Sequence, residues 1–229
     1  MKTLITNLFI FLFSICSYSQ QKVYFSNGAF QDGGNRNNLF LDIDNNEEDK
    51  TEGSRFINDN FLPAKLNDSD DIFFLRYDAF NEVFEISKNE KIYSLNKHIE
   101  NVTISFLNLN LVYKAFTVDG TEKYFVLLNN ENQKINLLKK ESIIFTEEKL
   151  SKTGYDEYRP PKYKRGKDVF FMHKDGEVIE LPTNKKKFAA LFPEKEDQIL
   201  DHIKKAKSSK LNDGESLLEL FNYINSIYK

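Results

Sequence analysis

Residues Leu111-Val-Tyr-Lys-Ala-Phe-Thr-Val-Asp-Gly-Thr-Glu-Lys-Tyr-Phe-Val-Leu-Leu128 decide the fold class of this chain. Aromatic and β-branched residues fill both halves of the stretch, and Asp119-Gly120 separates them. Asp-Gly is typical of the tight turn between two antiparallel strands, because the central residues of that turn adopt positive φ. The stretch therefore predicts a β-hairpin.

Runs of the same kind recur between residues 61 and 181, and their spacing indicates about ten short strands. Helical periodicity does not interrupt them, which favours an antiparallel meander over βαβ units. A long meander is expected to become barrel-like or to fold into a sandwich, because an open sheet leaves edges and a wet apolar face. The runs are 72–77, 82–86, 91–95, 102–106, 111–117, 123–128, 134–138, 142–146, 169–172 and 177–181.

After Pro182 the apolar residues follow helical spacing, which predicts two to three C-terminal helices. Thr183 is the expected N-cap of the first helix, Pro193 is expected to open the second, and Asn212 to cap the third. The last helix has an apolar stripe from Leu217 to Ile227 that must be buried. The predicted fold class is α+β, with an antiparallel β-meander, barrel-like or a sandwich, followed by these helices.

The first 19 residues have the pattern of a secretory signal peptide. Lys2 precedes an apolar run, and Ser17 and Ser19 provide small residues before a cut at Gln20. The run is shorter than the about 20 residues that span a bilayer. We therefore expect an exported protein, periplasmic or secreted. The alternative is an outer-membrane lipoprotein through Cys16, the only cysteine of the sequence.

The sequence divides into four predicted parts: a signal peptide at 1–19, a polar and partly ordered N-terminal arm at 20–60, an antiparallel β domain at 61–181, and helices at 182–229 packed on it. The formal net charge of the whole chain is −3. This balance gives no reason to expect bulk binding to nucleic acid, and no stretch after the signal peptide predicts a transmembrane span.

The stretch Leu75-Arg-Tyr-Asp-Ala-Phe-Asn-Glu-Val-Phe-Glu-Ile86 resembles a block of uncharacterised exported proteins of Bacteroidetes, in which an Arg-Tyr-Asn-Ala-Tyr-Asn-like turn lies between two strands. The resemblance extends over roughly residues 53–229, and the run 192–225 is similar to the paired closing helices of those proteins. Asp78 and Phe80 stand where that family has Asn and Tyr. The resemblance implies a compartment and an architecture, but no activity, because none is established for the family.

The candidate ligand-binding segment is Tyr155-Asp-Glu-Tyr-Arg-Pro-Pro-Lys-Tyr-Lys-Arg-Gly-Lys167. Interleaved cations and aromatic rings suit anionic sugars, phosphates or a nucleic-acid strand, and the two prolines favour an extended segment. The alternative is a charged loop between strands without a ligand. The candidate residues are Tyr155, Tyr158, Arg159, Lys162, Tyr163, Lys164, Arg165 and Lys167.

Other patterns carry weaker signals. Residues 42–46 resemble the start of a calcium loop, but Glu47 and Gly53 occupy the sixth and twelfth positions, which an EF-hand fills with Gly and Glu. His98, His173 and His202 lack the spacing of a metal site and are expected on the surface or in loops. We predict no metal and no cofactor.

The turn at 77–81 has two interpretations: a pocket rim, or a tight connection in which Asp78 and Asn81 cap backbone groups.

Three functions remain open at this point. The leading hypothesis is a non-enzymatic envelope protein that binds another envelope protein or an anionic ligand. The alternative is an envelope hydrolase, in which two carboxylates converge in a cleft and one has a raised pKa. A third hypothesis is that the chain is an interaction subunit, in which the stripe from Leu217 to Ile227 is exposed and docks on a partner.

Overall fold

The computed structural model describes residues 40–42, 51–67, 69–96, 102–151, 157–205 and 210–228. These residues form thirteen β-strands, three α-helices and one 3₁₀ helix. Every pair of neighbouring strands is antiparallel. The prediction of an α+β protein with an antiparallel meander and C-terminal helices is confirmed.

Eleven strands form the main sheet and two form a separate small sheet. The main-sheet strands are β1 Phe40–Asp42, β2 Leu62–Leu66, β3 Phe73–Asp78, β4 Val83–Lys88, β5 Lys91–Leu95, β6 Thr103–Phe106, β7 Leu111–Val118, β8 Thr121–Leu127, β9 Ile135–Lys140, β12 Val169–Lys174 and β13 Glu177–Glu180. The small sheet consists of β10 Ile143–Thr146 and β11 Lys162–Arg165. The helices are α1 Lys185–Ala189, the 3₁₀ helix Pro193–Lys195, α2 Glu196–Lys205 and α3 Gly214–Ile227.

The main sheet is built from two four-strand meanders, β2–β5 and β6–β9, joined where β6 pairs with β2. The strand order is β1-β5-β4-β3-β2-β6-β7-β8-β9-β12-β13. Tyr77 on β3 and Lys140 on β9 are five strands apart in this order, which in a flat sheet means about 24 Å. Their side chains nevertheless meet, with Lys140 Nζ 3.1 Å from the Tyr77 hydroxyl oxygen. The sheet therefore curls into a half-barrel.

Aromatic side chains fill the inside of the curl. The rings of Tyr77 and Phe84 stack at 4.6 Å, and Phe84 also meets Tyr113 at 5.2 Å and Tyr124 at 4.8 Å. All four residues are buried. Burial of each such side chain contributes roughly 1.5–3 kcal/mol, so this cluster is a main source of stability for the first eight strands.

The helices cover the same face of the sheet where it opens at β9 and β12. Leu217, Leu220, Phe221 and Ile224 of α3 are buried in a cluster with Ile135 and Leu137 of β9 and with both other α-helices. The apolar stripe of the last helix is therefore occupied within the monomer. This finding excludes the hypothesis of an interaction subunit, which required that stripe to be exposed.

The helix N-caps differ by one residue from the prediction. Asn184, not Thr183, caps α1 by accepting hydrogen bonds from the backbone N–H groups of Lys186 and Lys187. Asp213, not Asn212, caps α3, because its carboxylate accepts from both the N–H and the hydroxyl of Ser216. None of the described helices has the length and apolar character needed to cross a membrane.

Several predictions fall on residues outside the described ranges: the signal peptide, Cys16, residues 43–46 of the calcium-like run, His98 and Tyr155. Within the predicted N-terminal arm, β1 is described, and it pairs with β5 at one edge of the sheet.

Candidate binding surface

Most of the predicted ligand-binding segment lies in a two-stranded ribbon. β10 and β11 pair with each other and with no other described strand. The backbones of Lys149 and Arg159 continue the pairing, with two N–H···O bonds of 2.8 and 3.0 Å in the same register. We call residues 143–150 and 158–165 the ribbon. The register places Leu150 opposite Tyr158.

The strand alternation divides the predicted residues between two faces. Tyr163 and Arg165 pair with Phe145 and Ile143 on the inner face, toward the main sheet. Lys162 and Lys164 pair with Thr146 and Ile144 on the outer face. Because successive side chains of a strand point to opposite faces, the predicted residues cannot form one continuous surface.

The inner face is held by an aromatic cluster. The ring centroid of Tyr163 lies 5.1 Å from that of Phe145 and 5.2 Å from that of Phe80, in the turn between β3 and β4. The backbone of this turn is fixed by Asp78, whose Oδ1 accepts from the N–H groups of Phe80 (3.1 Å) and Asn81 (2.9 Å). The interpretation as a tight connection is confirmed for Asp78. Asn81 instead donates its side-chain amide to Asp78 Oδ2.

A buried carboxylate anchors the ribbon at its base. Glu141 Oε1 lies 2.9 Å from Arg165 Nη2 and 3.0 Å from Lys139 Nζ, and Glu141 Oε2 accepts a hydrogen bond from the Tyr113 hydroxyl. Burial alone raises the pKa of Glu141, but the bonds from Tyr113, Lys139 and Arg165 outweigh it and leave the pKa lowered. Arg165, a predicted ligand-binding residue, thus forms its ion pair with a carboxylate of the protein itself. It also pairs with Asp168 at 2.8 Å.

One edge of the ribbon is covered by the segment that precedes β2. Glu52 donates its N–H to Pro161 O at 2.9 Å, and its carbonyl accepts from Tyr163 N–H at 2.8 Å. Gly53 follows with φ of +81°, and a Cβ at this position would overlap the carbonyl oxygen of Tyr163. Glu52 Oε2 also pairs with Lys162 Nζ at 3.2 Å. Within the described residues, the uncovered edge of the ribbon is therefore that of β10.

The outer face combines apolar side chains with lysines. Ile144 is 55% exposed, Leu150 62% and Tyr158 55%. Lys162 and Lys164 flank them on β11. The sequence analysis did not select Ile144 or Leu150. Each is an even number of positions from Thr146, and this spacing places residues on the same face of a strand.

The remaining predicted residues have separate roles. Arg159 bridges to Lys149 through its backbone, Lys167 is exposed just after β11, and the Tyr158 hydroxyl lies 3.4 Å from Glu148 Oε2. The structure thus presents Tyr158, Lys162 and Lys164 together on the outer face, and it uses Tyr163 and Arg165 to attach the ribbon.

The two described histidines make local contacts. His173 lies in β12, not in a loop; its ring is 4.8 Å from Phe116, and its pKa is lowered by burial and then by Lys114. His202 stacks on Tyr223 at 3.7 Å. In the described part of the chain, no group of three His, Cys, Asp or Glu residues is placed to hold a metal.

Within the described residues, the two carboxyl groups whose pKa is clearly shifted give no support to acid–base chemistry. The pKa of Glu141 is lowered, and that of Asp213 is lowered by its hydrogen bonds from Ser216. A general acid at neutral pH requires the opposite direction.

Comparison with protein-family models, with curated proteins and with solved structures gives no match to this chain.

Proposed function

We propose that this protein is an exported, non-enzymatic binding protein of the cell envelope, and that its ribbon docks an extended segment of another envelope protein. The segment adds as a strand along β10 and carries acidic residues next to apolar ones. The observation that supports this proposal is the outer face of the ribbon, where Ile144, Leu150 and Tyr158 are more than half exposed beside Lys162 and Lys164.

The edge of β10 has the chemistry of a strand-addition site. Its four residues, Ile-Ile-Phe-Thr, carry no charge. Natural proteins usually protect an exposed edge with charged residues, proline or a covering segment, because its free N–H and C=O groups recruit other strands. Glu52 covers the β11 edge in this way. The uncharged β10 edge is therefore suited to main-chain pairing with a partner.

Lys164 sets the charge of that partner, because Lys162 already pairs with Glu52 Oε2 at 3.2 Å. Lys164 lies one strand away from the β10 edge, within the distance of about 8 Å over which charges interact at physiological salt. Acidic side chains on the added strand would be attracted to it. Apolar side chains of the same strand would cover Ile144, which contributes roughly 25 cal/mol for each Å² removed from water.

The attachment of the inner face prepares the ribbon for binding. An isolated two-stranded hairpin is only marginally stable in water. Here Phe80 and Glu141 hold the inner face through Tyr163 and Arg165. The partner therefore meets an ordered strand, and the entropic cost of ordering the ribbon is already met by these contacts.

Site-specific photo-crosslinking in the native host tests the proposal. A benzophenone amino acid replaces Thr146 on the outer face or, as a matched control, Asp119 in the exposed turn between β7 and β8. We expect one discrete cross-linked polypeptide from position 146 and none from position 119. A synthetic peptide of the cross-linked segment should bind the purified chain, and Ile144→Asp and Lys164→Glu should each weaken binding by about tenfold or more.

Three results would overturn the proposal: the same cross-links from both positions, a second copy of this chain as the cross-linked species, or full peptide affinity in Ile144→Asp. Ile144 is exposed, so the variant should keep the melting temperature of the wild type, and circular dichroism checks this.

Export is the second element of the proposal, and the charged, apolar and small-residue order of positions 1–19 supports it. The mass of the chain isolated from its host tests it. A start at Gln20 is expected for cleavage of a signal peptide, whereas a diacylated Cys16 would identify a lipoprotein. An uncleaved Met1 start would contradict export by either route.

A further inference from the structure

A groove of about 390 Å³ lies far from the ribbon, at the opposite end of β9. It is formed between the loop that precedes β9 and the last turn of α3. Gln133, Lys134, Asn222, Asn225, Ser226 and Tyr228 line it. Its volume is at the lower end of the roughly 300–1,000 Å³ of small-molecule sites, so a ligand there would be small.

Hydrogen bonds between side chains and the backbone of β9 hold the floor of the groove. Asn225 Nδ2 donates to Ile135 O at 2.9 Å, and Asn225 Oδ1 accepts from Ile135 N–H at 3.1 Å, so the side chain pairs with β9 as a neighbouring strand would. Asn129 fixes the loop by accepting from Leu137 N–H at 2.8 Å and donating to Ile135 O at 3.0 Å. These bonds hold the lining groups in place before any ligand arrives.

The groups left for a ligand are mainly hydrogen-bond donors. Gln133 Oε1 already accepts from the side-chain amides of Asn129 and Asn225, which leaves the NH₂ group of Gln133. Lys134 is exposed and is the one charged residue among the described residues of the lining. Asn222 contributes an exposed amide with both donor and acceptor capacity.

Tyr228 closes one end of the groove. Its hydroxyl oxygen is out of contact with solvent, so the part of Tyr228 that a ligand in the groove would meet is the ring. The Tyr228 ring is fixed by Phe192 at 6.1 Å and by Lys174 Nζ at 5.3 Å from its centroid.

We propose that this groove binds a sugar acid, that is, one or two pyranose rings with a single carboxylate. Ring hydroxyls match the amides of Gln133 and Asn222. The carboxylate matches Lys134, because a charge-assisted hydrogen bond is roughly twice as strong as a neutral one. This site is separate from the ribbon and does not depend on the function proposed for the ribbon.

Titration of the full chain with sodium D-glucuronate, followed by ¹⁵N NMR of the side-chain amides, tests the site. We expect saturable shifts of the Gln133 and Asn222 amide signals. D-Glucose, which has the hydroxyls without the carboxylate, should bind about tenfold more weakly. Lys134→Gln should weaken glucuronate binding by about tenfold, and Asn222→Ala by severalfold.

The matched control is Lys88→Gln, which removes an exposed lysine at the end of β4 and should leave glucuronate binding unchanged. Lys134 and Asn222 are both exposed, so their variants should fold normally, and the wild-type amide spectrum elsewhere verifies this. The proposal is overturned if the Gln133 and Asn222 signals do not move, if glucose binds as tightly as glucuronate, or if Lys134→Gln and Lys88→Gln have equal effects.

Discussion

Two buried glutamates perform similar tasks in two places of this molecule. Glu85 on β4 attaches the segment 51–61 through Arg55, at 3.0 Å, and also binds Arg76, at 2.6 Å. Glu141, just after β9, attaches the ribbon through Arg165 at 2.9 Å. Each carboxylate thus links the main sheet to a segment that lies outside its strands.

The two attachments differ in how well they are shielded from water. Arg55, which makes the attachment, is 31% exposed; Arg76, which shares Glu85, is only 17% exposed, because the rings of Phe56 and Phe61 lie over its guanidinium group at 3.7 and 4.4 Å. Arg165 is 40% exposed, and its second partner, Asp168, is also partly open to solvent. Ion pairs lose strength as water reaches them.

Two segments that each contact a buried carboxylate are therefore not held equally firmly. The segment 51–61 should unfold only with the whole sheet, whereas the ribbon should open as a separate unit of lower stability. We expect a binding element to be among the less stable parts of a protein. The predictions that follow test this contrast.

Glu85→Gln should have the largest effect. The amide keeps the shape of the side chain but leaves two guanidinium groups beside a neutral partner in a mostly buried site. Breaking one side of a buried ion pair costs about 3–5 kcal/mol. Urea unfolding followed by circular dichroism measures the loss. Asp119→Asn, the same exchange in an exposed turn, should cost less than about 0.5 kcal/mol, and equal effects of the two variants would refute the role of Glu85.

Glu141→Gln should have an intermediate and more local effect. It weakens the bonds from Arg165, Lys139 and Tyr113, and bonds to charged groups contribute about 1.5–3 kcal/mol. Hydrogen exchange measured by mass spectrometry should speed up in 143–146 and 162–165 while 51–61 stays protected. Glu85→Gln should show the reverse order. Uniform acceleration of both segments in Glu141→Gln would mean that the ribbon is not a separate unit.

The meander was predictable from local sequence because its strands alternate or cluster apolar residues between turn formers. β7 and β8 around Asp119-Gly120 are the clearest case. β2 was missed, because Pro63 and Lys65 give Leu62–Leu66 the composition of a loop. Its place at the centre of the sheet comes from pairing with β3 and β6, which are distant in sequence from one another.

The candidate surface was predictable only in part. The charge and aromatic content of 155–167 located the ribbon, but not its two faces. The face on which each side chain lies depends on the register with β10, which pairs Tyr163 with Phe145 and Lys164 with Ile144. The Glu141 anchor depends on Tyr113, 28 positions earlier. Local patterns carry no information about contacts of that range.

Gly53→Ala should have the third largest effect. The new Cβ meets the carbonyl oxygen of Tyr163, and the backbone keeps a φ of +81° that alanine disfavours. We expect a loss of about 1–2 kcal/mol, measured by urea unfolding, with faster exchange in 162–165. Gly120→Ala is the matched control, because Gly120 has φ of +73° but open space around it. If both variants lose equal stability, close packing of residue 53 on the ribbon contributes nothing.

Acidification should have the smallest effect, and it should act on the ribbon before it acts on 51–61. The pKa of Glu141 is lowered in the folded protein by Tyr113, Lys139 and Arg165, which outweigh burial. A lowered pKa stabilises the fold above the pKa of the unfolded chain, and this contribution disappears as the pH falls through the folded value. Exchange in 143–146 and 162–165, corrected for its intrinsic pH dependence, should therefore increase as the pH falls below about 4.

Other carboxylates also gain protons in this range, so the decisive quantity is the difference between wild type and Glu141→Gln. That difference should shrink with falling pH, because protonated Glu141 and glutamine are both neutral. A difference that stays constant would show that Glu141 does not anchor the ribbon through its charge.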